Sequence, residues 1–232
     1  MADDVSRPGG ARPNLGKNLQ DLTAAIQSQG ATEPSQKALP PVEQWSPPFC
    51  GDIDMRIARD GSWHYQGTPI GRPALVKLFS TILRKDPDRY VLVTPVERVG
   101  VTVEDAPFVA VEMTAAKETA DQVLRQILRF RTNVGDWVTA DGAHPLRFET
   151  AEADGIKPYI RVRGGLWALV KRGLALDLVA LAEIREHEGA RVFGVASAGA
   201  FFPIAPAEDV EAAEKIASNG QSDSDIAGPA AP

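Results

Sequence analysis

Ile53, Met55 and Ile57 alternate with Asp54, Arg56 and Ala58. That is the period of a strand with one buried face. Asp60-Gly61 follows as a hairpin-turn pair, and Ser62–Gln66, carrying Trp63 and Tyr65, is the predicted returning strand. Gly67-Thr68-Pro69 interrupts it. Arg72-Pro73 then opens a helix, because proline suits the first helical position. Leu75, Val76, Leu78, Phe79, Ile82 and Leu83 give that helix a broad apolar stripe. Tyr90–Thr94, Val99–Val103 and Pro107–Met113 read as further strands. Thr119–Thr132 fits both a helical and an alternating period, and its second half is predicted as strand. Asn133-Val-Gly-Asp is a turn, and Trp137–Thr139 and Pro145–Thr150 are short strands.

The opening pattern then returns. Ile160 and Val162 alternate with arginines, Gly164-Gly165 turns the chain, and Leu166–Lys171 runs back. Arg172-Gly173 leads into a helix whose apolar positions run from Leu174 to Ile184. A strand, Arg191–Ser197, and the apolar Phe201–Ile204 close the body. Aligning Arg72 with Arg172 sets Val76 against Leu176, Leu78 against Leu178 and Phe79 against Val179. Both copies carry a turn and a tryptophan, Trp63 or Trp167, ahead of the helix. The predicted class is therefore α+β, with two small subdomains built on a repeated strand–turn–strand–helix unit, residues 45–114 and 115–204. Each unit offers one apolar face that needs a partner, and ligand clefts favour subdomain boundaries. Residues 1–44 and 205–232 are rich in Pro, Gly, Ser, Gln and Ala and read as poorly ordered. Asn14–Gln29 is an exception, with Leu15, Leu19, Leu22 and Ile26 at helical spacing.

Composition narrows the function. The chain has 232 residues, 25 basic against 31 acidic, for a net charge of −6. Nucleic-acid binding rests on a basic surplus, so it is not expected. No run of about 18 apolar residues suggests a membrane span. The N-terminal stretch has no apolar core of the secretory kind. The single Cys50 excludes an intramolecular disulfide and fits a reducing, cytoplasmic setting.

Several polar groups are candidates for chemistry. Asp52 and Asp54 share a strand face, yet no Cys/His set with ligand spacing joins them, so neither metal nor cofactor is expected. A solvated face is the plainer reading. Glu97 shares the apolar phase of its strand, so it needs a paired cation or acts as a functional carboxylate. Arg125, Arg129 and Arg131 share a face if their segment is a strand. Arg163 precedes a glycine turn and Arg172 starts a helix, both places that attract anions. Gly194–Gly199 superficially resembles a nucleophile elbow around Ser197, but the spacing is wrong by one residue and no helix follows.

A set of ordered motifs resembles one bacterial family. It comprises Gly51-Asp-Ile-Asp-Met-Arg-Ile, Arg59-Asp-Gly-Ser-Trp63, Gly67-Thr-Pro-Ile70 with Arg72, and Leu92-Val-Thr-Pro-Val-Glu97. Val103–Phe108, Phe130–Asn133, His144–Arg147, Pro158-Tyr159, Val162–Leu166, and Ser197 with Phe201–Pro203 complete it. The family is that of domain of unknown function 1285. The resemblance implies two α+β domains with a repeated motif, a C-terminal half superficially similar to pleckstrin-homology-like folds, and a regulatory or signalling role. It supplies no catalytic residues. The resulting expectation is a module that binds a small anionic ligand between its halves through Arg72, Glu97, Arg163 and Arg172, with Trp63 and Tyr159 as walls. Two alternatives stay open: an enzyme using Asp52, Asp54 or Glu97 with His64, and a protein-interaction module using the Asn14–Gln29 helix or an open strand edge.

Overall fold

The computed structural model describes residues 39–120, 123–150 and 155–222. The helix expected at Asn14–Gln29 lies outside them. Backbone contacts divide the chain into two units, Met1–Glu104 and Asp105–Pro232, each with its own sheet structure.

In the first unit the alternating segment is β1 (Phe49–Ile57), with Met55 and Ile57 turned into the core. Asp60 makes the turn. Its Oδ1 accepts from the Ser62 backbone N–H at 2.9 Å and from the Ser62 hydroxyl at 2.6 Å. Gly61 takes the positive φ of 83° that the turn needs. β2 (Trp63–Tyr65) returns antiparallel, placing Trp63 opposite Ile57, and β3 (Thr68–Pro69) pairs with it. Helix α1 (Pro73–Thr81) starts at its proline as expected. It stops earlier than the apolar stripe suggests, because Leu83–Lys85 forms β4. β5 (Tyr90–Val93) and β6 (Arg98–Val103) follow. The strand order is β3-β2-β1-β6-β5-β4, and β1 runs parallel to β6. Parallel neighbours require a crossover, and the chain between β1 and β6, α1 included, supplies it. Arg56 pairs with Glu104, and that hydrogen bond, with one from the Arg59 N–H, holds the Glu104 carboxyl below the usual range.

The second unit opens with the longest hairpin, β7 (Phe108–Ala120) and β8 (Val123–Thr132). Strand β7 runs through residues 114 and 115, where the first repeated unit was expected to end. The ambiguous segment is strand throughout β8, not only in its second half. β9 (Trp137–Thr139), β10 (Leu146–Thr150), β11 (Ile156–Arg163) and β12 (Leu166–Val170) complete a sheet of order β10-β11-β12-β7-β8-β9. Helix α2 (Arg172–Ala180) leads to an antiparallel meander, β13 (Glu183–His187), β14 (Ala190–Ser197) and β15 (Ala200–Pro206). The helix was expected to reach Ile184, but Glu183–His187 pairs with β14 instead. The segment expected as tail from 205 starts with the end of β15 and continues as helix α3 (Ala207–Ser222), which has Glu208 and Asp209 in its first turn. Acidic groups there complement the positive helix end.

The recurring unit is thus longer than its sequence signal. Hairpin, nine-residue helix and three-strand meander occur in that order twice. In the first unit the meander joins the hairpin's sheet through β1 and β6; in the second it forms a sheet of its own.

Two glycines separate packing from conformational freedom. A Cβ on Gly194 would lie 2.5 Å from the Phe202 carbonyl oxygen and 2.6 Å from the Phe201 ring, whereas one on Gly173 meets nothing within 4 Å. Gly194→Ala should cost about 1–3 kcal/mol by overpacking. Gly173→Ala should be neutral or gain up to ~1 kcal/mol, since a helical Ala gives the unfolded chain less freedom to lose. Urea unfolding of the two variants measures both signs.

Candidate functional site

The most concentrated polar chemistry of the first unit lies where α1 ends. β4 carries Arg84, with Val91 opposite it on β5, and Lys85, opposite Tyr90. Arg84 is only 8% exposed. Its Nη1 donates to the carbonyls of Val42 (2.7 Å) and Trp45 (2.8 Å), and its Nε donates to Asp86 Oδ1 at 2.8 Å. Asp86 Oδ2 accepts from Arg98 Nη1, also at 2.8 Å. One carboxylate therefore bridges two guanidinium groups, with charge-assisted bonds to both. The carbonyls that Arg84 holds belong to the short 3₁₀ turn Val42–Gln44 and the residue after it.

A cavity of about 350 Å³ opens beside this bridge, lined by Trp45, Ser46, Arg84, Lys85, Asp86 and Arg98, with Glu43 at its wall. Three cations face two carboxylates, and Asp86 is already shared between two of the cations. Arg98 Nε is buried without a hydrogen-bond partner. The Phe49 ring sits between Arg89, 4.8 Å from its centre, and Arg98, 5.8 Å away. Lys85 Nζ lies 4.4 Å over the Tyr90 ring. The lining contains no histidine, cysteine or tyrosine hydroxyl.

The six residues expected to bind a ligand divide evenly between the units. Trp63 is 2% exposed and stacks on Phe79 with ring centres 6.3 Å apart, so it is part of the core. Arg72 is exposed at the start of α1, where its carbonyl accepts from the Leu75 and Val76 N–H groups. Glu97 is 7% exposed and closes the β5–β6 turn through its backbone, with Thr94 Oγ1 accepting from the Glu97 N–H at 3.2 Å. Its carboxyl finds no cation among the described residues, and burial pushes its pKa up. In the second unit, Tyr159 is 2% exposed and donates its hydroxyl to Asp105 at 2.7 Å. Burial first, then that acceptor, pushes the phenol above its ordinary value. Arg147 lies over the rings of Tyr159 and Trp167, at 4.8 and 4.4 Å. Arg163 pairs with Asp136 at 2.7 Å and lies 5.0 Å over the Phe108 ring. Arg172 is the exposed first residue of α2.

The other candidates resolve plainly. Asp52 and Asp54 are exposed, Asp52 lies 3.7 Å from Arg89, and no metal-ligating cluster occurs among the described residues. His64 faces Arg56 across β1 and β2, and its Nδ1 is buried without a partner. The Ser197 hydroxyl donates to the Ala140 carbonyl at 2.7 Å and accepts from the Leu128 N–H at 2.9 Å, so it ties β14 to the main sheet. Arg125, Arg129 and Arg131 do share a strand face, with Arg129 on Glu118 and Arg131 on Glu112. Sequence reasoning passed over Arg84, Asp86 and Arg98. The available signal was Arg84-Lys85-Asp86 standing where the apolar helix pattern ends.

The pKa of Glu97 carries a stability consequence. A carboxyl raised in the folded state contributes stability that is complete below the unfolded value and lost as pH rises through the folded value. Glu97→Gln has no charged form, so its melting temperature should exceed that of the parent at pH 7–8 and converge with it near pH 4. Thermal unfolding across that range measures the difference; equal curves at every pH would show that the Glu97 carboxylate has a compensating partner.

Residues 40–106 match the N-terminal domain of a domain of unknown function (DUF1285), and residues 107–204 match the C-terminal domain of the same family. A crystal structure of a DUF1285 family protein from Silicibacter pomeroyi is 46% identical, with a TM-score of 0.70, over 82% of this chain and 97% of that one. A second, from Shewanella baltica, is 28% identical over 55% of this chain and 91% of that one, with a TM-score of 0.43. No curated protein matches the chain.

Proposed function

We propose that this chain, which belongs to the DUF1285 family, is a binding module for a small anionic ligand, with a regulatory rather than catalytic role. The observation that carries the reading is the cavity beside the Arg84–Asp86–Arg98 bridge. Its volume falls in the range of small-molecule sites. Asp86 uses only one donor group of Arg98, while Lys85 and the Ser46 hydroxyl line the same space. Guanidinium forks match carboxylate and phosphate oxygens in pairs. Arg84 is locked by three hydrogen bonds, so the ligand would find its partner already oriented.

The likeness of the C-terminal half to pleckstrin-homology-like folds belongs to the same proposal. Its support is a pair of antiparallel-rich sheets closed by a C-terminal helix, α3, that packs on β14 and β15. The DUF1285 matches carry no activity, so they leave the anion reading to rest on the cavity.

The test is a thermal-shift series with inorganic phosphate and malonate against sodium chloride of matched ionic strength. A ligand at 100 times its dissociation constant adds about 2.7 kcal/mol to stability, a readily measured rise in melting temperature. Arg98→Gln should weaken binding by roughly 10- to 100-fold, the range for a lost hydrogen bond to a charged group. Loss of the shift in Arg72→Gln or Arg172→Gln instead would move the site to those helix starts. No shift with either anion would end this reading of the cavity.

A further inference from the structure

The β7–β8 hairpin has two outer edges, and among the described residues the β7 edge is paired only at its start. On the β8 side, the Gln126 carbonyl accepts from the Ala198 N–H at 2.8 Å, and the Leu128 N–H donates to Ser197 Oγ. The Leu128 carbonyl accepts from Ala140, and Arg129–Arg131 pair with β9. On the β7 side, β12 accompanies only Phe108–Ala110. A bulge between Ala110 and Glu112 then breaks the register, and Lys171 takes the Ala110 carbonyl as the chain leaves for α2. From Glu112 to Ala120 no strand flanks β7 among the described residues, and Thr114–Thr119 are all exposed. At ~3.3 Å per residue this is an open edge of about 30 Å.

Such an edge is a template for another strand, and proteins usually blunt it with proline, bulges or charges, lysine above all; Lys117 is the one lysine between Glu112 and Ala120. Past the bulge, β7 has none of the proline and reads Glu-Met-Thr-Ala-Ala-Lys-Glu-Thr-Ala. We propose that this edge pairs antiparallel with the same edge of a second copy of the chain, across a two-fold axis at Ala116.

The register follows from overlap and charge: an axis at Thr114 also opposes no like charges, but only Ala116 centres residues 112–120 and pairs all of them with the partner copy. A two-fold axis normal to the sheet keeps every side chain on its own face, so one residue must stand opposite itself. With Lys117 on the axis, two lysines meet. With Ala115 there, Glu112 meets Glu118. With Ala116 there, Lys117 meets Ala115, Glu118 meets Thr114, Met113 meets Thr119 and Glu112 meets Ala120. No like charges stand opposite, and directly opposed like charges are what destabilise a strand pair. Glu112 and Glu118 already hold Arg131 and Arg129 on their own hairpin, so neither carboxylate meets the partner strand unpaired. Alanines at the centre leave the backbones free to close. The interface is isologous and ends at two copies.

The test uses the full chain. Light scattering after size exclusion should give twice the chain mass, and Ala116→Lys, which sets two cations on the axis, should halve it. Ala116→Cys in a Cys50→Ser background should form a disulfide dimer on mild oxidation, far faster than Thr119→Cys, because opposed Cβ atoms lie within about 5.5 Å only on the axis. A monomer at every concentration would overturn the proposal. So would a dimer that survives Ala116→Lys, or faster cross-linking at Thr119→Cys. If Ala116→Lys does not fold, the cysteine pair decides alone.

Discussion

Arg84 is a cation with almost no water around it, and much of the first unit's polar architecture follows from that. A desolvated guanidinium is tolerable only when its donors are satisfied and its charge is met. Asp86 meets the charge, and the carbonyls of Val42 and Trp45 take two further donors. The same need that fixes the side chain also pins the Val42–Gln44 turn against β4. Asp86 then has a second oxygen to satisfy and takes Arg98. Arg98 is left bonded on one side, with its Nε unpaired, and the cavity beside it is the space that the turn and the bridge enclose. Stability and the proposed binding chemistry share one carboxylate here. Removing a single partner from such a buried pair typically costs about 3–5 kcal/mol, so the cavity and the fold of this region stand together.

The recurring hairpin, helix and meander show how one arrangement of elements meets two edge problems. In the first unit, β1 and β6 pair in parallel, and the meander extends the hairpin's sheet. In the second, β12 takes β7 as its parallel neighbour, so its meander has no place beside the hairpin. It attaches to β8 instead, through Ser197, Ala198 and the Gln126 side chain, which donates to the Ala196 carbonyl. Ser197 therefore does the work of a missing strand partner for β8. That attachment covers one side of the long hairpin; on the other, beyond Ala110, no further strand pairs with β7 among the described residues.

Much of the local structure was legible in the sequence because it rests on short-range chemistry. Asp60-Gly61 and Gly164-Gly165 turn as read, Pro73 opens its helix, and the arginines of β8 fall on one face. What failed to show depends on partners distant along the chain. Leu83 continues an apolar helical stripe, and only pairing with Leu92 makes it a strand. Glu183–His187 similarly becomes a strand through β14. Trp63 reads as a ligand wall because it is aromatic and follows a turn, yet its ring lies against Phe79 from α1. Glu97 reads as half of an ion pair because a buried carboxylate ordinarily is one. No periodicity reveals whether the cation is there.

The balance between binding and catalysis is decided by where the titratable groups end up. Acid–base chemistry needs two groups with opposed pKa shifts near one another. Glu97 is raised by burial alone, and Tyr159 is raised by burial and Asp105; one belongs to the first unit and the other to the second. Asp52 and Asp54 are exposed to water, and Ser197 is engaged on both sides by backbone. The cavity, by contrast, brings together two guanidinium groups and an ammonium group. Arginines held rigid by burial recognise an oxyanion without transferring a proton to it. On the proposed reading, a change on binding would pass through Asp86, the one group joined to both Arg84 and Arg98.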